Sequence, residues 1–176
     1  MNKIIWLFMQ HPQGEFYVRE IARKLKKSPA TISKFLKKYQ KEGILISEKK
    51  LNHLIFKANV ESRSYKLEKQ FYNIKKIYDS GIISYLEKEL NYPETLGVFG
   101  SYTRSEDTEK SDIDIFAISS SHRRPSLSEY EKILQCPIHL LIFSRKDIER
   151  LKEKNPELLN NIINGITLSG KWRLFR

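Results

Sequence analysis

Two aspartates set one residue apart, Asp112 and Asp114, interrupt an apolar run that includes Ile113, Ile115 and Phe116. This alternation suits a β-strand with one polar and one apolar face, because side chains at i and i+2 leave a strand on the same side. The two carboxylates therefore converge, and like charges held so close repel unless a cation sits between them. Oxygen donors of this kind suit Mg²⁺, which takes one or two carboxylates and completes its shell with substrate phosphates. Twelve residues before Asp112, Gly100-Ser101 separates the apolar run Leu96–Phe99 from a helix start. Glycine lets a phosphate approach the backbone, and the free N–H groups of a helix start attract an anion. The expected site is thus a metal–triphosphate cradle: Asp112 and Asp114 as metal ligands and catalytic acids, Gly100 and Ser101 on the phosphates. Arg104, one turn into the short helix, is a further phosphate contact by charge.

The text around this core alternates strands and helices. Leu96–Phe99 reads as a strand, Tyr102–Ser105 as a short helix and Ile113–Ile118 as a second strand. A capping box Ser126-x-x-Glu129 opens a helix to Leu134, and Pro137–Phe143 is a third strand. Ser144-x-x-Asp147 caps a further helix, and Asn155-Pro156 begins the last. Residues 61–91 carry helical periodicity broken at Asp79-Ser80-Gly81.

Charge separates the first part of the chain from the rest. The chain carries +11 formally, yet residues 1–65 hold 14 Lys/Arg against 5 Glu and no Asp, a net of +9. Such asymmetry describes two functional halves, the first facing a polyanion. Its element order is a helix over Ile4–Phe8, a brief extended Phe16-Tyr17-Val18 and a helix through Ile21, Ala22 and Leu25. Ser28-Pro29 then caps a helix whose Ile32, Phe35, Leu36 and Tyr39 form one apolar stripe, ended by Gly43. Strands Ile44–Glu48 and Leu54–Ala58 follow, joined by a loop Lys49–His53. Off the apolar stripe lie Thr31, Ser33, Lys34, Lys37, Lys38 and Lys41, with Lys26-Lys27-Ser28 in the turn before the helix and Lys49-Lys50 at the hairpin tip. Small polar residues early on a helix suit base edges, and lysines suit phosphates. The expected DNA-binding set is therefore Lys26, Lys27, Ser28, Thr31, Ser33, Lys34, Lys37, Lys38, Lys49 and Lys50.

Two resemblances sharpen these expectations. Residues 15–58, above all Phe16-Tyr17-Val18-Arg19-Glu20-Ile21-Ala22 and Ser28-Pro29-Ala30-Thr31-Ile32-Ser33, resemble the winged helix-turn-helix modules of prokaryotic transcription regulators. Gly97–Arg104 followed by Ser111-Asp112-Ile113-Asp114-Ile115 resembles the polymerase-β-like nucleotidyltransferase superfamily, in particular its minimal members. The second resemblance implies that Gly100 and Ser101 hold nucleotide phosphates and that Asp112 and Asp114 hold Mg²⁺, with ATP or another NTP as the nucleotide. It also implies a third acid on a neighbouring strand, and here the sequence departs from the pattern. The expected strand Pro137–Phe143 offers only His139, while Glu129, Glu131 and Asp147 fall on predicted helices. The family often has glycine after the arginine, where this chain has Ser105.

The expected fold class is α+β in two domains: a winged helix-turn-helix over residues 1–60, a helical connector over 61–80, and a nucleotidyltransferase-type mixed sheet with flanking helices over 81–176. The expected function is DNA-binding transcription regulation coupled to a Mg²⁺–nucleotide domain. The alternative is an active transferase that moves NMP from NTP to a protein or small-molecule acceptor, including an antitoxin paired with a toxin. Expected partners are thus double-stranded DNA, a nucleotide and, on the alternative, a protein acceptor or toxin. Apolar surface over 61–91 is compatible with a homodimer. Cys136 is the sole cysteine, and no segment reaches the roughly 18 apolar residues that span a bilayer. A cytoplasmic protein without membrane partners is expected.

Overall fold

The computed structural model describes residues 3–121 and 123–172. Two compact units divide the chain, Met1–Tyr72 and Asn73–Arg176. Among the described residues no helix is long and apolar enough to cross a membrane.

In the first unit, helix α1 (Lys3–Gln10) buries Ile4, Ile5, Leu7, Phe8 and Met9. A two-residue strand β1 (Phe16–Tyr17) leads into α2 (Val18–Leu25), then α3 (Pro29–Lys41) and the hairpin β2 (Leu45–Lys50) and β3 (His53–Ala58). Ser28 caps α3 by accepting the Thr31 N–H at 3.1 Å, with Pro29 as the first helical residue. Gly43, at φ 75°, ends the helix in the left-handed conformation that suits glycine. The three strands pair antiparallel in the order β1-β3-β2. The hairpin ladder runs from Leu45↔Ala58 to Lys50↔His53, so Lys49 and Lys50 are strand residues and not part of a five-residue loop. Leu51 and Asn52 alone make the turn, both at positive φ (46° and 63°), the pairing that two-residue hairpins require. Glu15 bridges Lys50 and Lys57, each at 2.9 Å, and these two contacts hold its carboxyl below the ordinary range.

Helix α4 (Arg63–Asp79) closes this core with Tyr65 and Tyr72, the latter edge-on to Trp6. Lys69 lies on the same face and is almost fully buried. Its ammonium donates to the Met9 carbonyl at 2.6 Å and sits 5.6 Å from the centre of the Tyr72 ring. A buried cation needs such partners, and the carbonyl end of a helix supplies one.

The second unit is built on a mixed four-stranded sheet in the order β6-β5-β4-β7. Its elements after α4 are α5 (Ile82–Glu89), β4 (Thr95–Phe99), α6 (Ser101–Arg104), β5 (Ile113–Ile118), α7 (Ser128–Leu134) and β6 (Ile138–Phe143). They are followed by α8 (Arg145–Lys154), α9 (Pro156–Ile163) and β7 (Ile166–Gly170). β5 and β6 are parallel, connected through α7, whereas β4 is antiparallel to both β5 and β7. Alternation along β5 feeds two cores. Ile113, Ile115 and Ala117 pack with Ile82, Ile83 and Leu86, while Phe116 and Ile118 pack with Ile148, Leu159 and Ile162. The buried Cys136 joins the first of these cores.

Three local expectations change. Ser126 does not cap α7: the helix starts at Ser128 behind Leu127, and the Ser126 carbonyl instead accepts the Tyr85 hydroxyl at 3.0 Å. The short helix begins at Ser101, one residue early, because Gly100 already makes the turn. β7 (Ile166–Gly170) adds a strand that the expectations from sequence do not include, although Asn164-Gly165 before it is a turn signal. The Ser144/Asp147 capping box and the Asn155 cap before Pro156 are both present.

Candidate active site

The sheet register brings Gly100, Asp114 and His139 side by side, while Asp112 lies just before β5 and Arg104 on α6. Phe99 pairs with Asp114 across β4 and β5, and Asp114 pairs with His139 across β5 and β6. Gly100 therefore follows immediately on the strand beside Asp114. Its backbone, at φ 75° and ψ −151°, occupies a region that essentially only glycine adopts. A β-carbon added there would lie 2.5 Å from the Asp114 Oδ2 atom. Gly97, two residues before Phe99, is shaped by its neighbour in the same way: an added β-carbon would fall 2.3 Å from the Phe116 ring. Ser101 starts α6 half-buried, and Thr103 folds back to donate its hydroxyl to the Gly100 carbonyl at 2.8 Å.

The two acids differ in environment. Asp112 precedes β5 and is exposed, whereas Asp114 is half-buried. Burial pushes the Asp114 carboxyl above its ordinary range, and the charge of Asp112 adds to the effect. His139, by hydrogen bond and charge, and Arg104, by charge, act in the opposite direction. The Nδ1 atom of His139 stands 3.4 Å from Asp114 Oδ1, and its ring is largely exposed. Arg104 is exposed and paired with Glu106 at 2.7 Å.

The carboxylates on the helices are engaged elsewhere. Glu131 accepts the Ile138 N–H at 3.1 Å, and Asp147 caps α8. Among the described residues, no three His, Cys, Asp or Glu side chains gather as a metal-binding group. A pair that sequence reasoning missed supports the loop between α6 and β5. Asp107, buried in a stretch of otherwise solvated text, accepts from Asn73 Nδ2 at 2.6 Å, and the same amide donates to the Tyr102 carbonyl at 3.0 Å. Thr108 and Ser111 tie the rest of that loop at 2.9 Å. Nothing in Glu106–Lys110 distinguishes the one buried acid from its exposed neighbours.

The sequence profile of the family "Polymerase beta, Nucleotidyltransferase" matches residues 80–172, just over half of the chain. The chain belongs to the polymerase beta nucleotidyltransferase family. A protein of Methanocaldococcus jannaschii named "Putative protein adenylyltransferase" is 43% identical over 42 residues, covering 24% of this chain and 42% of that relative. The chain thus matches about two fifths of the length of that curated relative. No solved structure matches.

The match to the nucleotidyltransferase family lies wholly beyond residue 79, so the basic residues of the first unit stand apart from it. There, Lys26, Lys27, Lys34, Lys37 and Lys49 are exposed. Lys38 is exposed but pairs with Glu42 at 3.7 Å, and Lys50 is held by Glu15. Ser28 and Thr31 hydrogen-bond each other at 2.8 Å as part of the α3 cap, and Ser33 is half-buried.

Proposed function

We propose that the second unit binds a Mg²⁺–nucleoside triphosphate, ATP or another NTP, and that the first is a winged helix-turn-helix that binds duplex DNA, making the chain a nucleotide-responsive regulator. The observation that carries the nucleotide half is the meeting of Gly100 and Asp114 at adjoining strand ends. Glycine there leaves space beside a carboxylate, and the donors suit Mg²⁺, which needs few protein ligands when phosphates complete its shell. In this reading Asp112 and Asp114 hold the metal, while Gly100, Ser101 and Arg104 face the phosphates. Bound Mg²⁺ would neutralise phosphate charge and act as a Lewis acid.

The DNA half rests on the element order, the three-stranded sheet with its two-residue hairpin turn, and the exposed lysines on and before α3. Lysines supply affinity through phosphates more than base readout. If six to eight of them neutralise phosphates, log K should fall with log salt at a slope of about −5 to −7. A flat salt dependence sinks this half.

A second reading, transfer of the nucleotidyl group to an acceptor, is favoured by the pairing of His139 with Asp114 and by the named activity of the M. jannaschii relative. The acceptor hydroxyl oxygen forms a bond to the α-phosphorus, the bond to the β-phosphate oxygen breaks and pyrophosphate leaves. With Nδ1–H facing Asp114, the Nε2 lone pair of His139 takes the hydroxyl proton. Incubation with α-labelled ATP, Mg²⁺ and cell extract separates the readings, with Asp112→Asn/Asp114→Asn as control. Acid-stable label that depends on both aspartates supports transfer. Mg²⁺-dependent binding without label supports the regulator. Absence of Mg²⁺-dependent nucleotide binding removes both.

A further inference from the structure

Helix α4 carries apolar side chains on two faces, and only one of them is used within the first unit. Tyr65 and Tyr72 are buried, while Leu67 and Phe71 are 57% and 56% exposed. Val60, just before the helix, is also exposed. Leu67 and Phe71 form one wall of an open groove of about 730 Å³, whose other wall comes from Tyr39 on α3 and Ile44. Large apolar side chains that cluster on a surface mark a site of association more often than scattered ones do.

The sequence of α4 says what kind of surface meets it. Within the part of α4 that lines the groove, Ser64, Leu67 and Phe71 follow one another at spacings of three and four. That spacing puts the three on one face of the helix, as residues that pack along another helix are. The rim of the groove adds the second argument. In a region that is otherwise strongly basic, it carries both signs: Lys38 on α3, with Glu42 at its end and Glu68 on α4. The two glutamates disfavour a polyanion over the groove itself, and a rim of both signs can complement a second copy of itself. A two-fold axis can set Lys38 of one copy against Glu68 of the other, and the reverse, because a symmetric interface uses the same patch twice.

We infer that this groove is the interface of a homodimer, with Leu67 and Phe71 of each chain seated in the groove of the other. The inference is independent of nucleotide binding; Lys38 also belongs to the expected DNA-binding set, whereas Leu67 and Phe71 lie outside it and test association by themselves. Sedimentation equilibrium of the full chain measures it. The wild-type protein is expected to dimerise at micromolar concentration. Phe71→Glu and Leu67→Glu should each weaken association at least 100-fold, with helical content by circular dichroism and Mg²⁺–nucleotide binding unchanged. Lys38→Glu and Glu68→Lys alone should each weaken it, and the double variant should restore it, a rescue that mere destabilisation of α4 does not produce. A wild-type monomer at 100 μM overturns the inference. So do glutamate variants that dimerise like wild type, or a double charge reversal that behaves as the sum of its singles.

Discussion

Replacing Gly100 by alanine tests the site at its tightest point. Two effects combine. The backbone at φ 75° and ψ −151° costs a residue with a β-carbon about 1–3 kcal/mol. The new methyl also lies 2.5 Å from Asp114 Oδ2, well inside van der Waals contact. It can be relieved only by rotating that carboxylate or moving the strand end, and either change displaces the Asp114 oxygen from where it would hold the proposed metal. The expected result is a loss of at least 100-fold in Mg²⁺–ATP affinity, or about 2.7 kcal/mol. Thermal unfolding of the second unit should fall as well, since 1 kcal/mol moves the midpoint of a ~100-residue domain by about 4–8 °C. Gly81→Ala supplies the control. Gly81 also has positive φ (80°), but a β-carbon there meets nothing within 4 Å. It should show the thermal loss with unchanged nucleotide affinity. Titration calorimetry with Mg²⁺–ATP, paired with thermal melts, reads both quantities. If Gly100→Ala melts like Gly81→Ala and binds nucleotide like wild type, Gly100 does not shape a nucleotide site and the reasoning fails.

Three further expectations are simpler. His139→Ala should lower acid-stable labelling by about 10²–10⁴-fold while changing Mg²⁺–ATP affinity less than tenfold, because a general base contributes on that scale without holding the nucleotide; equal losses in both would reassign His139 to binding. Lys34→Ala/Lys37→Ala should reduce the magnitude of the salt slope of DNA binding by about 2, near 0.9 for each phosphate no longer neutralised, and fluorescence anisotropy across a salt series measures it. Glu15 is held ionised by Lys57 and Lys50, so its folded pKa lies below its unfolded one. Its contribution to stability is therefore present above the unfolded value and is lost as pH falls through the folded value. Urea unfolding should show Glu15→Gln weaker than wild type at pH 7, with the difference closing in acid.

Much of the candidate site was legible in sequence because its signals are local. Asp112-x-Asp114 reads through the two-residue period of a strand, and Gly100-Ser101 through the junction of an apolar run with a helix start. The capping residues Ser28, Ser144 and Asn155 likewise act on N–H groups three residues away, within reach of any window. What sequence missed is non-local. Asp107 looks like the solvated acids around it until Asn73, 34 positions earlier, arrives to donate to it. β7 exists because the exposed edge of β4 pairs with it through the register Thr95↔Gly170 to Val98↔Ile166, a partner invisible from Ile166–Gly170 alone. Ser126 shows the converse. Its spacing to Glu129 satisfied a local rule, but the helix starts behind Leu127; the Ser126 Oγ lies 3.3 Å from Ser128 Oγ, and its carbonyl accepts from Tyr85, 41 residues away.

The strand register also explains why the missing third carboxylate leaves His139 as the group beside Asp114. Along a strand, a slip of one residue sends every side chain to the opposite face. β6 is held in step at its first residues, where the Pro137 carbonyl accepts the Ile113 N–H at 3.0 Å and Glu131 accepts the Ile138 N–H at 3.1 Å. With that start fixed, His139 faces the side of Asp114, whereas Ile138 and Leu140 join the core of α5. Glu131 is thus one of the chain's available acids, and its oxygen is engaged in setting the register that presents the histidine. Asp147, at the far end of β6, is engaged in starting α8. The acids near β6 act on backbone N–H groups at its two ends, and the polar side chain left on its face beside Asp114 is an imidazole. A nucleotide site with two carboxylates and an imidazole differs from one with three carboxylates in charge as well as in shape. On the proposed nucleotide reading, such a site carries one negative charge fewer around the triphosphate, which lessens its repulsion of the phosphates and offers the metal one ligand fewer.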